Sequence, residues 1–386
     1  MKKYAFFFPV DRDLSLTGGP RTVVNLLTGL QSAGHDVVLL SQRESALTEE
    51  LRSRGVPVEV VTLPDILDVH DEQAIGYSLP RKAKSLFELL KYNQRVATYC
   101  RKHEVDGLWA RQIKGILLVG VAAQFLGVPL IWDIGYEKPP SGLMRVLHWI
   151  GLGLATRIVT QSKRQFPETF GAQIERLVGY KVDHIYPGIS EERQAALRTA
   201  ARDGAGRSRT VLTIGNIHPR KNQAMTIRAL ASLLRSTPNL QLAIVGAVRD
   251  RDYYDDLLAL VDDENLSEAV DFLGWRDDVP ALLGRCDLLV LSSLREGIPH
   301  VIREAMFAEV PAVATRVGGV PESVQHGETG YLVDPHDPED LRERVEQLLD
   351  DPNLRDEMGE NAFELAKERF SKSAWIEAYA SVLETT

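Results

Sequence analysis

The chain of 386 residues is too long for one ordinary hydrophobic core, so two domains of roughly equal size are expected. Hydrophobic residues make up 44% and charged residues 26%, a balance that excludes an intrinsically disordered chain. The net charge of −9 is uneven, because residues 1–190 hold 23 Lys and Arg against 19 Asp and Glu while the remainder is strongly acidic. A nucleic-acid-binding protein would be basic more consistently, so the charge pattern favours two domains with different partners.

Cysteine usage and the start of the chain narrow the class further. The two cysteines, Cys100 and Cys286, lie far apart and outside any metal-binding spacing, so neither a disulfide framework nor a zinc site is expected. The opening MKKYAFFFPVDRD contains an apolar run too short for a signal peptide, and we interpret it as a first β-strand. No stretch approaches the roughly 18 uncharged apolar residues of a membrane-spanning helix. These features predict a protein of the reducing cytoplasm.

Along the first half, short β-branched runs alternate with helical patterns. YAFFFPV precedes a helix that begins at Pro20 and ends at Gly34, with one apolar face made of Val23, Leu26, Leu27 and Leu30. Further strands are predicted in HDVVLLSQ, VEVVTL, VDGLWA, PLIWDI and RIVTQS. This alternation is typical of a parallel sheet with helices on both faces, and it predicts a first domain at residues 1–187.

The alternation weakens in a polar, arginine-rich segment at residues 188–209, which we interpret as an interdomain junction. It restarts in TVLTIGN, LQLAIVG, AVDFLG, DLLVLSS, PAVATRV and GYLVDP, and Asp337 is predicted to cap a later helix. We predict a second domain at residues 210–368 and a C-terminal helix at residues 369–386 that packs back on the first domain. The predicted fold class is α/β, with two doubly wound Rossmann-like domains facing across a ligand-binding cleft.

The segment SSLREGIPHVIREAM follows a buried strand and places two glutamates around a predicted helix start. Pro299 suits the first position of a helix, which would leave the amides of His300 and Val301 as an anion site. Glu304, one turn later, could accept hydrogen bonds from the vicinal hydroxyls of a ribose, and Glu296 from those of a second sugar. The spacing fits a nucleotide sugar, although by itself it also describes a capping glutamate on an ordinary surface helix.

Longer stretches carry a family resemblance. EGIPHVIRE resembles the E-x7-E signature of retaining glycosyltransferases with the GT-B fold, specifically family four, and AMFAEVPAVATRVGGVPESVQHGETGYLVDP continues the same pattern. LTIGNIHPRKNQAMTIRALASLL resembles the family's glycine-loop-Arg-Lys segment, and VDFLGWRDDVPALLGRCDLLVLSS its base-binding stretch. GGPRTVVNLLTGLQSAGHDVVLLS resembles its N-terminal loop and first helix. The resemblance is strong over residues 211–335 and looser over residues 60–190.

The resemblance implies transfer of a sugar, with retention, from a nucleotide-diphosphate sugar on the C-terminal domain to an acceptor hydroxyl on the N-terminal domain. Arg220 and Lys221 correspond to the pair that neutralises the donor diphosphate, and Glu296 completes the predicted catalytic set. The predicted donor-binding residues are Gly19, Gly215, Trp275, Arg276, Ile298, His300, Val301 and Glu304. The expected partners are a nucleotide sugar and a carbohydrate or lipid-linked acceptor, without nucleic acid, cofactor or metal.

One position departs from the family pattern. Many members have an active-site histidine just after the strand that corresponds to VPLIWDI, where this chain has Gly135. Asp133 and Tyr136, with Gly18 from the N-terminal loop, are the predicted acceptor-side contacts. Two alternatives to a transferase stay open: a nucleotide-sugar epimerase of the same fold and, because the histidine is absent, a catalytically lapsed nucleotide-sugar-binding module.

Two segments of the first half raise the question of a membrane surface. Residues 79–103 are basic and amphipathic, and residues 141–159 are apolar with flanking bases. Both would suit a peripheral position on the anionic inner surface of a membrane, and plain helical packing with solvated lysines is the alternative. Two Asp-x-Asp stretches, residues 11–13 and 250–252, are interpreted as solvated loops rather than metal sites.

Overall fold

The computed structural model describes the following residues: 2–9, 19–68, 78–135, 142–203 and 209–386. Contacts divide the chain into unit 1, which comprises Met1–Ile185 and Ile376–Thr386, and unit 2, which comprises Tyr186–Trp375. Each unit is built around one parallel β-sheet. Two predicted acceptor-side residues, Gly18 and Tyr136, and the Asp-x-Asp stretch at residues 11–13 lie outside the described residues.

The sheet of unit 1 has seven parallel strands in the order β3-β2-β1-β4-β5-β6-β7. They are β1 (Lys3–Phe7), β2 (Asp36–Ser41), β3 (Val58–Val60), β4 (Gly107–Arg111), β5 (Leu130–Asp133), β6 (Arg157–Thr160) and β7 (Val182–His184). The helices described around them are α1 (Gly19–Ser32), α2 (Ala46–Ser53), α3 (Leu79–Lys102), α4 (Gln112–Leu126), α5 (Gly142–Leu154), α6 (Gln165–Phe170) and α7 (Ala172–Val178). The order reverses between β1 and β4, as in a doubly wound fold.

Unit 2 begins with α8 (Glu191–Asp203), and its six parallel strands have the order β10-β9-β8-β11-β12-β13. The strands are β8 (Thr210–Ile214), β9 (Gln241–Val245), β10 (Val270–Gly274), β11 (Leu288–Leu291), β12 (Ala312–Thr315) and β13 (Gly330–Val333). The further helices are α9 (Gln223–Ser236), α10 (Arg251–Asp263), α11 (Val279–Arg285), α12 (His300–Phe307), α13 (Val320–Ser323), α14 (Pro338–Asp350), α15 (Pro352–Phe370) and α16 (Lys372–Thr385).

Alternate side chains of the central strands in unit 2 enter two different cores. Leu289 and Leu291 of β11 pack with α12, whereas Leu288 and Val290 pack with α9 and α14 on the opposite face. Both faces are covered, so the strands read as continuous apolar runs rather than alternating ones. Twelve of the thirteen strands in the described residues were predicted from such runs. The exception is β7, a three-residue strand with the mixed sequence VDH.

The segment at residues 188–209, predicted as a junction, contains α8 and belongs to unit 2. Leu197 on this helix is fully buried in the core of that unit. The predicted cap of α14 is present, since the Asp337 carboxylate accepts from the N–H groups of Glu339 and Asp340 at 3.1 and 3.0 Å. At the C-terminus, the Tyr379 hydroxyl donates to the Asp133 carboxylate at 3.1 Å within unit 1.

Candidate functional site

In each sheet the strand order reverses once, between β1 and β4 in unit 1 and between β8 and β11 in unit 2. Open α/β sheets bind ligands outside the carboxyl ends of the strands at such a reversal. Gly215 directly follows β8, and the segment that contains Glu296 follows β11. Two residues predicted from the sequence therefore lie at the reversal point of unit 2.

Arg220 and Lys221 lie in the 3₁₀ turn Pro219–Lys221, between β8 and α9. The Nδ1 atom of His218 accepts from the N–H of Arg220 at 3.1 Å and so caps the turn. Asn222 then adopts a φ of 52°, in the left-handed region, and α9 starts at the next residue. The side chains of Arg220 and Lys221 thus lie on a short turn. A hydrogen bond from His218 defines its start, and the backbone conformation of Asn222 defines its end.

The loop after β11 holds this turn in place. The N–H of Leu294 donates to the carbonyl of Arg220 at 2.8 Å, and the Ser292 hydroxyl donates to the carbonyl of Asn222 at 2.8 Å. The buried hydroxyl of Thr226 donates in turn to the Ser292 oxygen at 2.8 Å. Buried polar networks whose members are satisfied rigidify their surroundings. Ser292 was part of the sequence motif, but its supporting role was not predicted.

Lys221 and Glu296 form an ion pair, with the Lys221 Nζ 2.5 Å from the Glu296 Oε1. The hydroxyl of Ser293 donates to the same carboxylate oxygen at 2.7 Å. The side chains of the pair are only 18% and 11% exposed, so water screens their attraction less than at an open surface. The fold therefore brings together two predicted catalytic residues that lie on different loops.

Two glycines, Gly318 and Gly319, pack against the backbone of Glu296 and Gly297. A Cβ atom at position 318 would lie 1.8 Å from the Glu296 carbonyl oxygen, and Gly318 has a φ of 49°. A Cβ atom at position 319 would lie 2.7 Å from the carbonyl oxygen of Gly297. Only glycine allows this close approach of two backbones. The signal was present in the sequence as the Gly-Gly pair of ATRVGGVPE, which the family resemblance covered without assigning a role.

Helix α12 begins at His300, with Pro299 as its N-cap rather than its first helical residue. Glu304, one turn into the helix, is paired with Arg193 of α8, whose Nε lies 2.8 Å from the Glu304 Oε1. Arg193 was missed because its segment was interpreted as a junction. The side chains of Ile298 and Val301 are buried in the core of unit 2, so these two predicted donor contacts can offer only backbone groups.

Arg303, next to Glu304, is fully buried. Its guanidinium donates to the carbonyl oxygen of Pro187, and its Nε and Nη2 have no hydrogen-bond partner among the described residues. Burial lowers the pKa of Arg303 to about 10, so the group stays charged at pH 7. The positive charge of Arg303 lowers the pKa of His300 to about 4, so its ring is neutral at pH 7. The first turns of α12 thus carry a buried guanidinium at Arg303 next to the Glu304 carboxylate.

The predicted base-binding residues follow β10, the outermost strand of the sheet and two strands away from the reversal point. Trp275 is 70% exposed, and Arg276 forms a bidentate pair with Asp278 at 2.8 and 2.6 Å. Among the described residues, no hydrogen bond or ion pair joins Trp275 or Arg276 to Glu296. Their role in binding a base stays a prediction.

In unit 1, Gly19 starts α1, and a Cβ atom there would touch the Phe8 ring at 3.5 Å. Asp133 is 1% exposed, and its oxygens accept from the Tyr379 hydroxyl and from the N–H of Gly135, each at 3.1 Å. The carboxylate is turned inward and supports the turn at Gly135, and the contact of Asp133 with an acceptor stays a prediction. In the described part of the chain, no three His, Cys, Asp or Glu side chains are grouped to hold a metal ion.

Two family models match the chain. The model described as glycosyl transferase 4-like domain matches residues 17–213, and the model of glycosyl transferases group 1 matches residues 200–365. N-acetyl-alpha-D-glucosaminyl L-malate synthase of Bacillus anthracis is 34% identical over 172 residues, which are 45% of this chain and 44% of that relative. Alpha-D-kanosaminyltransferase of Streptomyces kanamyceticus is 28% identical over 383 residues, which cover 85% of this chain and 95% of that enzyme.

Solved structures agree on the fold. Anabaena HepE in complex with UDP superposes with a TM-score of 0.75 at 21% identity, covering 100% of both chains. A glycosyltransferase from Rickettsia africae gives a TM-score of 0.78 at 17% identity, covering 100% of this chain and 99% of that one. Because the two family models together match residues 17 to 365, the chain belongs to family four of the glycosyltransferases, and its two parallel sheets have the GT-B fold.

Proposed function

We propose that this glycosyltransferase moves a sugar from a nucleotide-diphosphate sugar to an acceptor hydroxyl and keeps the anomeric configuration of the sugar. Unit 2 would bind the donor, with Glu304 on the ribose, the N-terminus of α12 on the diphosphate and Glu296 on the transferred sugar. Unit 1 would bind the acceptor, a carbohydrate or a lipid-linked glycan. The solved complexes of HepE with UDP and with UDP-glucose support the donor class.

The proposed reaction needs stabilisation of one growing charge. As the bond from the anomeric carbon to the diphosphate oxygen breaks, negative charge grows on that oxygen, and Lys221 and Arg220 would stabilise it. The acceptor hydroxyl would attack the anomeric carbon from the same face, and its proton would pass to the departing diphosphate. No protein base is required in this scheme, so the absence of a histidine at Gly135 leaves the charge-stabilising groups intact.

The observation that carries the proposal is the pair of Lys221 and Glu296 at the reversal point of unit 2. A lysine and a glutamate on two loops, fixed by the hydrogen bonds of Ser292 and Ser293, provide an ammonium for a phosphate beside a carboxylate for sugar hydroxyls. Such preorganised groups lower a barrier without reorganising during the reaction.

Product stereochemistry tests the proposal. A thermal-shift screen over nucleoside diphosphates and their sugars first identifies the donor, because a ligand of the folded state raises the melting temperature. Transfer is then followed by NMR with and without a metal chelator. We expect the anomeric configuration of the donor sugar in the product, and an unchanged rate with the chelator.

Each contrary outcome points elsewhere. An inverted product would refute the retaining mechanism, and loss of activity that magnesium or manganese restores would refute metal independence. Conversion of the donor sugar without an acceptor would indicate an epimerase. Binding of the donor with no transfer to any of a broad set of acceptors would indicate a lapsed binding module.

If Glu304 contacts the ribose, its ion-pair partner Arg193 should also affect the binding of the nucleoside diphosphate, and the two effects should be coupled. Glu304→Ala should weaken nucleoside diphosphate binding by about 1–3 kcal/mol, since charged hydrogen bonds to two hydroxyls are lost. Arg193→Met should weaken it by about 1 kcal/mol by leaving the carboxylate unoriented, and should have no further effect in the Glu304→Ala background. Calorimetric titration of the four proteins measures both effects.

Arg198→Met provides the matched control, because Arg198 lies on the same helix and pairs with Glu309 instead. Its affinity for the nucleotide should equal that of the parent protein. Tighter nucleotide binding by Arg193→Met would mean that Arg193 competes with the ribose for Glu304, and would contradict an orienting role.

The surface of unit 1 bears on the acceptor. Among the described residues, none of the helices has the length and apolar character needed to cross a bilayer. Six large apolar side chains of α3 and α5 are 45–59% exposed, however: Leu86, Phe87, Leu90, Val146, Trp149 and Ile150. With the basic residues at the start of α3, they support a proposed peripheral contact with an anionic membrane. Failure to sediment with anionic lipid vesicles would refute it.

A further inference from the structure

Two cations stand at the reversal point of the unit 1 sheet. Arg111 is the last residue of β4 and the N-cap of α4, and Lys114 lies three residues later in the first turn of that helix. Both residues therefore lie at the start of α4, at the carboxyl edge of the sheet. The guanidinium of Arg111 lies over the Phe8 ring, 5.7 Å from its centroid, at the end of β1. Both strands that flank the reversal point therefore contribute to the surroundings of Arg111.

Neither cation has a counter-ion within the described residues. No ion pair within 4.0 Å and no side-chain hydrogen bond joins Arg111 or Lys114 to another described group, and both side chains are partly exposed. The carboxylate opposite Arg111 in the strand ladder is Asp133, which is buried and already engaged by Tyr379 and Gly135. Some arginines of unit 1 do have a carboxylate partner, as Arg157 has Asp183 at 2.7 Å.

The placement of these charges is unfavourable for the helix itself. The first turn of a helix carries a partial positive charge and prefers Asp, Ser or Thr at the N-cap and Glu at the third position. Here both positions hold cations, and α4 has no acidic residue in its first turn. Gln112 between them has a φ of 61°, an uncommon conformation for a residue with a side chain. Departures from local preference at the ligand-binding edge of a sheet are typical of functional positions.

The space beside Gly135 belongs to the same region. A Cβ atom at position 135 would lie 3.6 Å from the Arg111 Nε and 3.9 Å from the Gln112 Cγ. Arg111 therefore borders the position where many family members have a histidine. A planar guanidinium donates to two oxygens of a carboxylate or phosphate at once, which a neutral imidazole does not.

We propose that Arg111 and Lys114 bind an anionic group, a phosphate or carboxylate, on the acceptor. This inference rests on the proposed function, because it assigns the acceptor to unit 1, and it deepens that function by naming the acceptor's chemical class. The anion would come either from a small soluble acceptor or from a lipid headgroup. In both cases its oxygens would accept from Arg111 and Lys114 and so hold the acceptor at the end of β4.

Binding measurements with the donor site already filled test the proposal. The full chain is saturated with the nucleoside diphosphate that stabilises it, so that added anions do not report on Arg220 and Lys221. The melting temperature is then followed with inorganic phosphate, inositol phosphate and malate, and with inositol as the uncharged parent. We expect stabilisation by at least one anion and none by inositol, weakening as salt is added.

Variants locate the effect. Arg111→Met and Lys114→Met should each weaken the anion's binding about tenfold or more, the usual size of one charge-assisted contact. Arg111→Lys keeps the charge but not the paired donors, so it should bind the anion more weakly than the parent and more tightly than Arg111→Met. Lys102→Met, a change of an exposed lysine at the end of α3, should have no effect. All of these variants should bind the nucleoside diphosphate with the affinity of the parent protein, which would show that they are folded. A loss of anion binding alone would then be distinct from a failure of the proposed donor site.

Transfer assays identify the source of the anion. Paired acceptors are compared: inositol phosphate with inositol, and vesicles containing phosphatidylinositol with vesicles of phosphatidylcholine alone. Preference for the soluble phosphate or for the anionic vesicle supports the proposal and assigns the source. The proposal is overturned if no anion stabilises the filled protein, if Arg111→Met and Lys114→Met bind the anion as the parent does, or if the preferred acceptor is uncharged.

Discussion

Lys221→Met should lower the turnover number about 10²–10³-fold while leaving the affinity for the phosphate-free nucleoside unchanged. The loss has this size because the ammonium acts on charge that develops on the leaving diphosphate, where one preorganised group contributes a large share of the rate. The variant also leaves the Glu296 carboxylate, 11% exposed, without its cation. That unpaired charge would repel a phosphate, so binding of the nucleoside diphosphate should weaken as well.

A second substitution separates the two effects. Glu296→Gln in the Lys221→Met background removes the unpaired charge, so affinity for the diphosphate should recover while turnover stays low. Lys367→Met is the matched control, since Lys367 is an exposed lysine of the same unit that pairs with Glu364. Steady-state kinetics and nucleotide titration distinguish the outcomes. Equal losses of nucleoside and diphosphate affinity would indicate a folding defect, and turnover within threefold of the parent would remove Lys221 from the catalytic set.

The sequence predicted the class of fold because its signals are local. Buried parallel strands appear as short β-branched runs, and helix starts such as Asp337 carry their own capping residue. The segments around Arg220 and Glu296 are likewise contiguous, so the family resemblance could place them. Boundaries were less accurate. Helix α1 begins one residue before the predicted Pro20, and α12 one residue after the predicted Pro299.

The features that were missed depend on contacts between distant parts of the chain. Arg193 meets Glu304 across 111 positions, and Tyr379 reaches Asp133 across 246. No local pattern marks either pair. Asp133 is the last residue of β5 and was predicted as an acceptor contact because it is polar and lies close to Gly135. Its hydrogen bond with Tyr379 of the C-terminal helix α16 could not be read from that local pattern. The same holds for α8, whose arginine-rich sequence indicated a junction until its buried Leu197 was located in the core of unit 2.

The cations without an ion pair in these two regions of the described chain are of two kinds. Arg111 and Lys114 are partly exposed, so water solvates them in the absence of a ligand and their unfavourable position against the helix dipole has a small energetic effect. Arg303 is fully buried with one carbonyl partner, and the free energy needed to remove a charge from water is far larger there. Replacing Arg303 with a neutral residue should therefore change the free energy of unfolding of the protein.

We expect Arg303→Met to raise the free energy of unfolding by about 1–3 kcal/mol, because methionine fills similar space without a buried charge. Arg303→Ala should be less stable than Arg303→Met by about 2 kcal/mol, since it leaves a cavity. Urea titration measures both. If the diphosphate at the start of α12 is the countercharge for Arg303, the Met variant should also lose affinity for the nucleoside diphosphate but not for the nucleoside. A Met variant less stable than the parent would show that the guanidinium is well satisfied in the folded protein, and unchanged diphosphate affinity would show that its charge does not reach the donor.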